Sequence, residues 1–402
     1  MTNFNMIRNI RFKNFFSIAS QSIVLTEMNA LVGINGVGKS NIIKALQVLK
    51  AVITDGDLSD LFINQWGGFD AVMFMGNKDP KASISLEYEF DPEVIGQYGY
   101  HFQEPVFYRI RFHKIASSQN YYICESFHTK TTDGKPNYLY LKIDQGKGFA
   151  REGRSNEQES VTYELDNASE SILSQLVDKD RYYQIYTLRE AIKDIAIYTY
   201  FDTTAKSAIR KPVQPGYMNR LFPDGSNLPQ VLNAIKVNDK GSYGKIKDAL
   251  ISVNPNFRGF DFNFLGTSIE LLLDENGLNR AVHVTHISDG TLRYLCILAI
   301  VFNPRRGRLV CIDEPEVGLH PDMLGELMQS ISENAGETQY LISTHSDHIL
   351  NQLPVSDVIV LEKDEHNQTI IRDFRDEEYA NWAAQYSTGT LWRNGDLGGN
   401  RY

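Results

Sequence analysis

The sequence predicts an α/β protein with a mixed β-sheet core, an antiparallel β subdomain and a helical insertion. Three observations predict it. An apolar-alternating run, Ile23 to Val32, leads into the stretch Gly33-Ile34-Asn35-Gly36-Val37-Gly38-Lys39-Ser40, after which a helical period begins. Far downstream, the apolar run Arg308 to Ile312 ends in two acids, Asp313 and Glu314. Between these stretches, residues 82–143 repeat short alternating segments broken by Asn, Gly and Asp.

Taken in order, Ile7 to Phe16 and Ile23 to Val32 read as strands, the second running straight into the glycine loop. Ser40 to Val52 carries apolar residues at Ile42, Ile43, Leu46, Val48 and Leu49, a helical spacing. A polar linker from Asp55 to Asp60 precedes Gln65-Trp66-Gly67-Gly68-Phe69. Ser83 to Phe90, Val106 to Phe112, Tyr121 to Phe127 and Tyr138 to Ile143 read as an antiparallel layer, and the glycine-rich residues 144–160 as a mobile loop. Ser169 to Tyr200 reads as helical, its apolar stripe serving core packing. Lys206, Arg210, Lys211 and Arg220 gather around two prolines; such a cluster touches a nucleic-acid backbone or, more simply, is a solvated loop. Ser226 or Asn227 is placed to cap a helix from Leu228 to Ile235. Residues 257–286 read as a hairpin turning at Asp274-Glu275-Asn276-Gly277, and Val358 to Phe374 as a closing hairpin.

Composition narrows the class. The chain has 402 residues, 42% hydrophobic and 22% charged, the balance of an ordinary globular protein able to bury one large core or two modest ones. No window approaches eighteen uncharged apolar residues, and Met1 to Arg11 lacks a secretory h-region, so the expectation is a cytoplasmic protein with no membrane partner. A formal net charge of −10 argues against bulk attraction to nucleic acid. Of the three cysteines, Cys296 and Cys311 sit in apolar runs, and no C-x-x-C pair exists. His283/His286 and His345/His348 share an i, i+3 spacing without a third ligand, which does not make a zinc site.

The chemistry follows from the motifs. In a strand–loop–helix context, the glycines let backbone N–H groups close on phosphate oxygens at the positive end of a helix. Asn35, Gly36, Val37, Gly38, Lys39, Ser40 and Asn41 form that stretch. Lys39 would reach the β- and γ-phosphates of a nucleoside triphosphate, and the Ser40 hydroxyl would bind Mg²⁺. Asp313, at a strand's carboxyl end where ligands of doubly wound sheets sit, would hold Mg²⁺ through water or directly; Glu314 orients or deprotonates the attacking water. Ile287-Ser288-Asp289-Gly290-Thr291 opens another helix and suits an anion, although alone it is an ordinary N-cap. Tyr340 to Thr344 is a further apolar strand, ending at His345, which can donate to a γ-phosphate oxygen.

In this order the motifs resemble those of ABC-class ATPases: Walker A at Gly33–Ser40, signature at Ser288–Thr291, Walker B at Asp313-Glu314-Pro315, D-loop at Gly318–Pro321 and switch histidine at His345. More narrowly, the chain is similar to RecF/SMC-like heads and to the ATPases of the overcoming-lysogenization-defect and related prokaryotic defence families. Phe12-Lys13-Asn14-Phe15, Asn41, Asp224–Leu228, Glu314-Pro315-Glu316, Leu319-His320-Pro321 and the closing Gly398-Gly399-Asn400-Arg401 carry that likeness. Ser288-Asp289-Gly290-Thr291 departs from the transporter-style S-G-G-Q, and Gln65 is the candidate Q-loop glutamine. The resemblance implies one ABC-type head over 1–402: a Walker A lobe with β subdomain at 1–165, a helical insertion at 166–250, and a signature, Walker B and switch lobe at 251–402.

It also implies a homodimer or higher homo-oligomer in which Ser288 and Gly290 of one subunit contact the γ-phosphate held by Lys39 of the other. The 57 residues after His345 are too few for a Toprim nuclease, so an effector nuclease or toxin is expected on a separate chain. The leading expectation is therefore an ATPase controlling such an effector in antiviral defence. Two alternatives stand beside it: a RecF-like DNA-repair ATPase that binds DNA, and an ATP-bound scaffold with negligible hydrolysis.

Overall fold

The computed structural model describes residues 5–54, 58–79, 81–116, 118–129, 138–153, 159–216, 218–375, 383 and 385–399. They divide into two compact units: 1–195 with 359–374 and 397–402, and 196–358 with 375–396. The fold class is α/β, as the sequence predicts.

The first unit opens with β1 (Ile7–Phe15), β2 (Ile18–Val24) and β3 (Met28–Val32), followed by α1 (Lys39–Thr54). After the short α2 (Phe69–Val72) come β4 (Ser83–Phe90), α3 (Pro92–Gly96), β5 (Val106–Lys114), β6 (Tyr121–Thr129), β7 (Leu139–Asp144), β8 (Lys147–Glu152) and β9 (Glu159–Glu164). These strands make an eight-stranded antiparallel sheet in the order β2-β1-β4-β5-β6-β7-β8-β9. Its period-2 alternation buries Leu86, Tyr88, Ile110, Phe112, Ile123 and Phe127, and the Tyr88 hydroxyl donates to the Ala45 carbonyl of α1 at 2.6 Å. On the opposite face Arg11 and Arg109 share the carboxylate of Glu87. β3 lies beside the strand Val358–Lys363, which pairs antiparallel with Thr369–Asp373 as the closing hairpin.

Several expectations need correction here. Ile23 to Val32 is not one strand but the end of β2 and all of β3. The Asn29 side chain accepts from the Thr26 N–H at 2.8 Å and donates to the Thr26 carbonyl at 2.7 Å, turning the chain from one sheet into another. Alternation alone cannot register a change of sheet. Within 144–160, a two-residue turn at Gln145 (φ 49°) and Gly146 (φ 79°) joins β7 to β8 as a hairpin, so the glycines mark a tight turn and not mobility; 154–158 lie outside the described residues. Ser169 to Tyr200 is only partly helical: a 3₁₀ turn at Ile172–Ser174, α4 (Tyr183–Lys193) and β10 (Ile195–Tyr198). The cause is Glu125, buried on the sheet's inner face, whose carboxylate accepts from the Ile172 N–H and the Ser171 hydroxyl and fixes that turn. The apolar stripe of 169–200 does serve the core, with Ile172, Leu173, Ile185, Leu188, Ile192 and Ile195 buried.

The second unit holds α5 (Leu228–Asn238), α6 (Lys240–Val253), β11 (Phe257–Leu265), β12 (Ser268–Glu275), β13 (Val282–His283), α7 (Asp289–Val301), β14 (Leu309–Asp313), α8 (Pro321–Asn334), β15 (Gln339–Thr344) and α9 (Asp347–Leu350). β14 and β15 pair in parallel with Asp313 opposite Ser343, so both strands end level. α7 is apolar nearly all round and is buried accordingly. The hairpin of 257–286 turns at Gly266-Thr267, between Leu265 and Ser268, and the expected Asp274–Gly277 turn instead leads from β12 to β13. Asn227 precedes α5 but does not cap it; its side chain accepts from the Phe222 N–H and donates to the Arg220 carbonyl. Among the described residues no helix is long and apolar enough to cross a membrane.

Candidate functional site

The glycine loop of the first unit is built from both ends of its sequence. Gly38 has φ 112°, and a Cβ there would lie 2.6 Å from the Thr369 hydroxyl and 2.8 Å from that of Ser17, so only glycine fits. Thr369 Oγ1 donates to the Val37 carbonyl at 2.6 Å, bonds Ser17 Oγ at 2.6 Å, and Ser17 in turn accepts from Asn41 Nδ2 at 2.8 Å. A single direction of donation, Asn41 to Ser17 to Thr369 to Val37, satisfies this chain. Gly399 closes the other side by accepting from the Ile34 N–H at 3.1 Å, while its own N–H goes to Glu362. Asn400 and Arg401 lie outside the described residues.

Within this frame Asn35, Gly36 and Ser40 are exposed, and Val37 and Lys39 are buried. The Lys39 ammonium donates to the Gly33 carbonyl at 2.8 Å. A buried ammonium requires such oxygens, and an entering anion supplies both oxygens and charge. Asn41 is committed to Ser17, and Gln65 sits exposed at the end of a π-helical turn (Asp60–Gln65) with its Nε2 on Asp60 at 2.8 Å.

In the second unit the two parallel strand ends are laced together. Ser343 Oγ donates to the Asp313 carboxylate, and the Glu314 N–H reaches both the Ser343 carbonyl (3.1 Å) and Oγ (3.0 Å). Glu314 has φ 47°, a conformation non-glycine residues adopt at a cost, and it turns this carboxylate toward His345, with Nε2 to Oε1 3.1 Å. Both side chains are about a third exposed (His345 32%, Glu314 39%), which leaves them accessible to a reactant. Beside the acids is a cavity of about 240 Å³, lined by Tyr198, Tyr200, Phe201, Arg293, Asp313 and Glu314 among others. That is below the range of a site enclosing a whole drug-sized ligand, roughly 300–1,000 Å³.

Ser288 caps α7: its Oγ accepts from the Thr291 N–H at 3.2 Å and bonds the Thr291 hydroxyl at 2.7 Å. A Cβ on Gly290 would lie 2.7 Å from the Gly318 carbonyl, so the Ser288–Thr291 and Gly318–Pro321 turns touch. Arg293 fastens them further through the Val317 carbonyl at 3.0 Å. Arg210 has a role that the sequence did not reveal. It is buried, and donates to Asp289 at 2.6 Å and to the Thr203 and Val284 carbonyls, holding the signature turn from behind. Neither a solvated loop nor a nucleic-acid contact describes it. An acid within S-D-G-T and an arginine beside prolines carried no pairing signal across 79 residues of chain.

A family model described as "AAA domain, putative AbiEii toxin, Type IV TA system" matches residues 28–351. The chain belongs to this AAA family. Two solved structures resemble the family member described here. A crystal structure of an SMC head bound to the C-terminal winged-helix domain of ScpA aligns with TM-score 0.60 at 12% identity, covering 93% of this chain and 99% of that one. The SMC head with an extended coiled coil bound to the C-terminal domain of ScpA, from Pyrococcus furiosus, gives 0.59 at 12%, covering 95% and 100%. At that identity the likeness establishes the fold: the AAA-family chain has the ABC-type head architecture of SMC proteins. No curated protein matches it.

Proposed function

We propose that this chain binds ATP with Mg²⁺, hydrolyses the γ-phosphate, and uses the nucleotide to join copies of itself into an assembly controlling a separate nuclease or toxin in prokaryotic antiviral defence. The observation that carries the chemistry is Glu314 meeting His345 beside Asp313 at two level strand ends, in a chain whose Gly33–Ser40 loop suits phosphate. In this reading the loop amides and Lys39 hold the β- and γ-phosphates, Glu314 orients the attacking water, and His345 donates to the γ-phosphate. Ser40 and Asp313 offer the hard oxygen donors Mg²⁺ prefers, and the ion neutralises phosphate charge when bound. Ser288 and Gly290 meet the γ-phosphate held by a second copy, so ATP favours the joined state and its loss releases it. The toxin–antitoxin wording of the family description supports the defence role. The ScpA domain bound to the similar SMC heads is a precedent for control of a separate chain.

The test is the oligomeric mass of Glu314→Gln with and without ATP and Mg²⁺, beside Lys39→Ala. ATP should enlarge the first protein and leave the second unchanged, while wild type releases phosphate. One fixed mass for both, whatever the nucleotide, overturns the assembly mechanism.

A further inference from the structure

We infer that Glu316 is a positioning residue that ties the switch-histidine segment to the Glu314 turn. The proposal rests on the ATPase reading above and deepens it. Glu316 Oε1 accepts two hydrogen bonds, from the Thr344 hydroxyl and from the His345 N–H, each at 2.7 Å. Thr344 is fully buried, and its Oγ1 also accepts from the Ser346 N–H at 3.0 Å, at the start of α9. One carboxylate oxygen thus sets where the strand β15 ends and where the His345 backbone points. The second oxygen, Oε2, is buried and takes no hydrogen bond among the described residues. A carboxylate in that state is a poor stabiliser, which favours a geometric role over a structural one. The geometry it imposes is the contact between His345 Nε2 and Glu314 Oε1. Both groups sit on short turns, and Glu316 links those turns by hydrogen bonds to two consecutive residues.

Three variants test this: Glu316→Gln, which keeps an acceptor at Oε1, Glu316→Ala, which removes it, and His345→Ala. Steady-state hydrolysis by Glu316→Ala should fall in kcat on the order of tenfold to a hundredfold, the cost of a misplaced reacting group, with KM for ATP nearly unchanged. Glu316→Gln should stay within about threefold of wild type on the same reasoning. Adding His345→Ala to Glu316→Ala should cost little more, because the two act through one group. Hydrogen exchange over residues 339–350 gives an activity-free readout: faster in Glu316→Ala, unchanged in Glu316→Gln. Should the alanine protein not fold, Thr344→Val removes one of the two donors and should speed exchange at the His345 amide as well as at Ser346, whose acceptor it also removes; a change at Ser346 alone counts against the tether. Unchanged exchange in the variants that lose these bonds, or fully multiplicative losses with His345→Ala, overturns the proposal. A wild-type protein that releases no phosphate overturns the ATPase reading instead, and the exchange experiment still decides the tether.

Discussion

Replacing Thr369 by valine removes one hydroxyl from the hairpin that props the glycine loop, and its effect can be worked from the structure. Thr369 is fully buried, and valine nearly matches its volume, although the new methyl must back away from two oxygens that the hydroxyl meets at 2.6 Å. The hydroxyl donates to the carbonyl of Val37, a residue only 2% exposed, and bonds Ser17. Without it the Val37 carbonyl is orphaned in the interior, while half-buried Ser17 can turn to solvent. Leaving one buried acceptor unsatisfied costs about 1–3 kcal/mol. For a unit of this size each kcal/mol lowers Tm by roughly 2–4 °C, so a fall of about 2–12 °C is expected. Because Val37 is followed by Gly38 and Lys39, binding has to restore the loop, and each 1.4 kcal/mol so used weakens nucleotide affinity about tenfold. The assay is thermal melting and nucleotide titration of Thr369→Val against Thr369→Ser, which keeps the hydroxyl, loses only a buried methyl at about 0.8 kcal/mol, and should bind nucleotide like wild type. If the valine and serine proteins melt together and bind nucleotide equally, the hydroxyl relay does not hold the loop.

Other outcomes follow from buried titratable groups. Burial, then the bond to Asp144, pushes the Cys124 thiol up to about 11, and burial above all raises Cys296 and Cys311 far above the usual thiol range. None of the three should react rapidly with a thiol-specific disulfide reagent at pH 8 in the native protein, and all three should react in denaturant. A fast native phase would mean that the cores around them open. Burial raises Glu87, but Arg11 and Arg109 outweigh it and hold its carboxyl below the ordinary 4.5. A depressed native pKa gives stability that is complete above pH 4.5 and is lost as pH falls through the native value. Glu87→Gln should therefore be less stable than wild type at pH 7, and the gap should close towards pH 3 in urea unfolding. An equal gap at both pH values would show that the loss is one of packing.

The sequence by itself determined the chemistry-bearing stretches. The glycine loop, the acids ending β14 and the histidine ending β15 are local signals: a strand runs out, and a polar residue of the right type stands at its end. Period-2 alternation likewise found β4 to β7, because each strand buries one face against the core. What local pattern could not carry was any decision made by a distant partner. Glu125 stops 169–182 from being helix by gripping a turn 47 residues further along the chain. Arg210 can leave the surface because the Thr203 and Val284 carbonyls and the Asp289 carboxylate accept from its guanidinium. The C-terminal hairpin reaches back over 332 residues to place Thr369 under Val37. Buried polar groups must find partners wherever the fold brings them, and sequence spacing does not constrain that distance. The tertiary structure alone decides those pairings, and with them how firmly each half of the proposed nucleotide site is held.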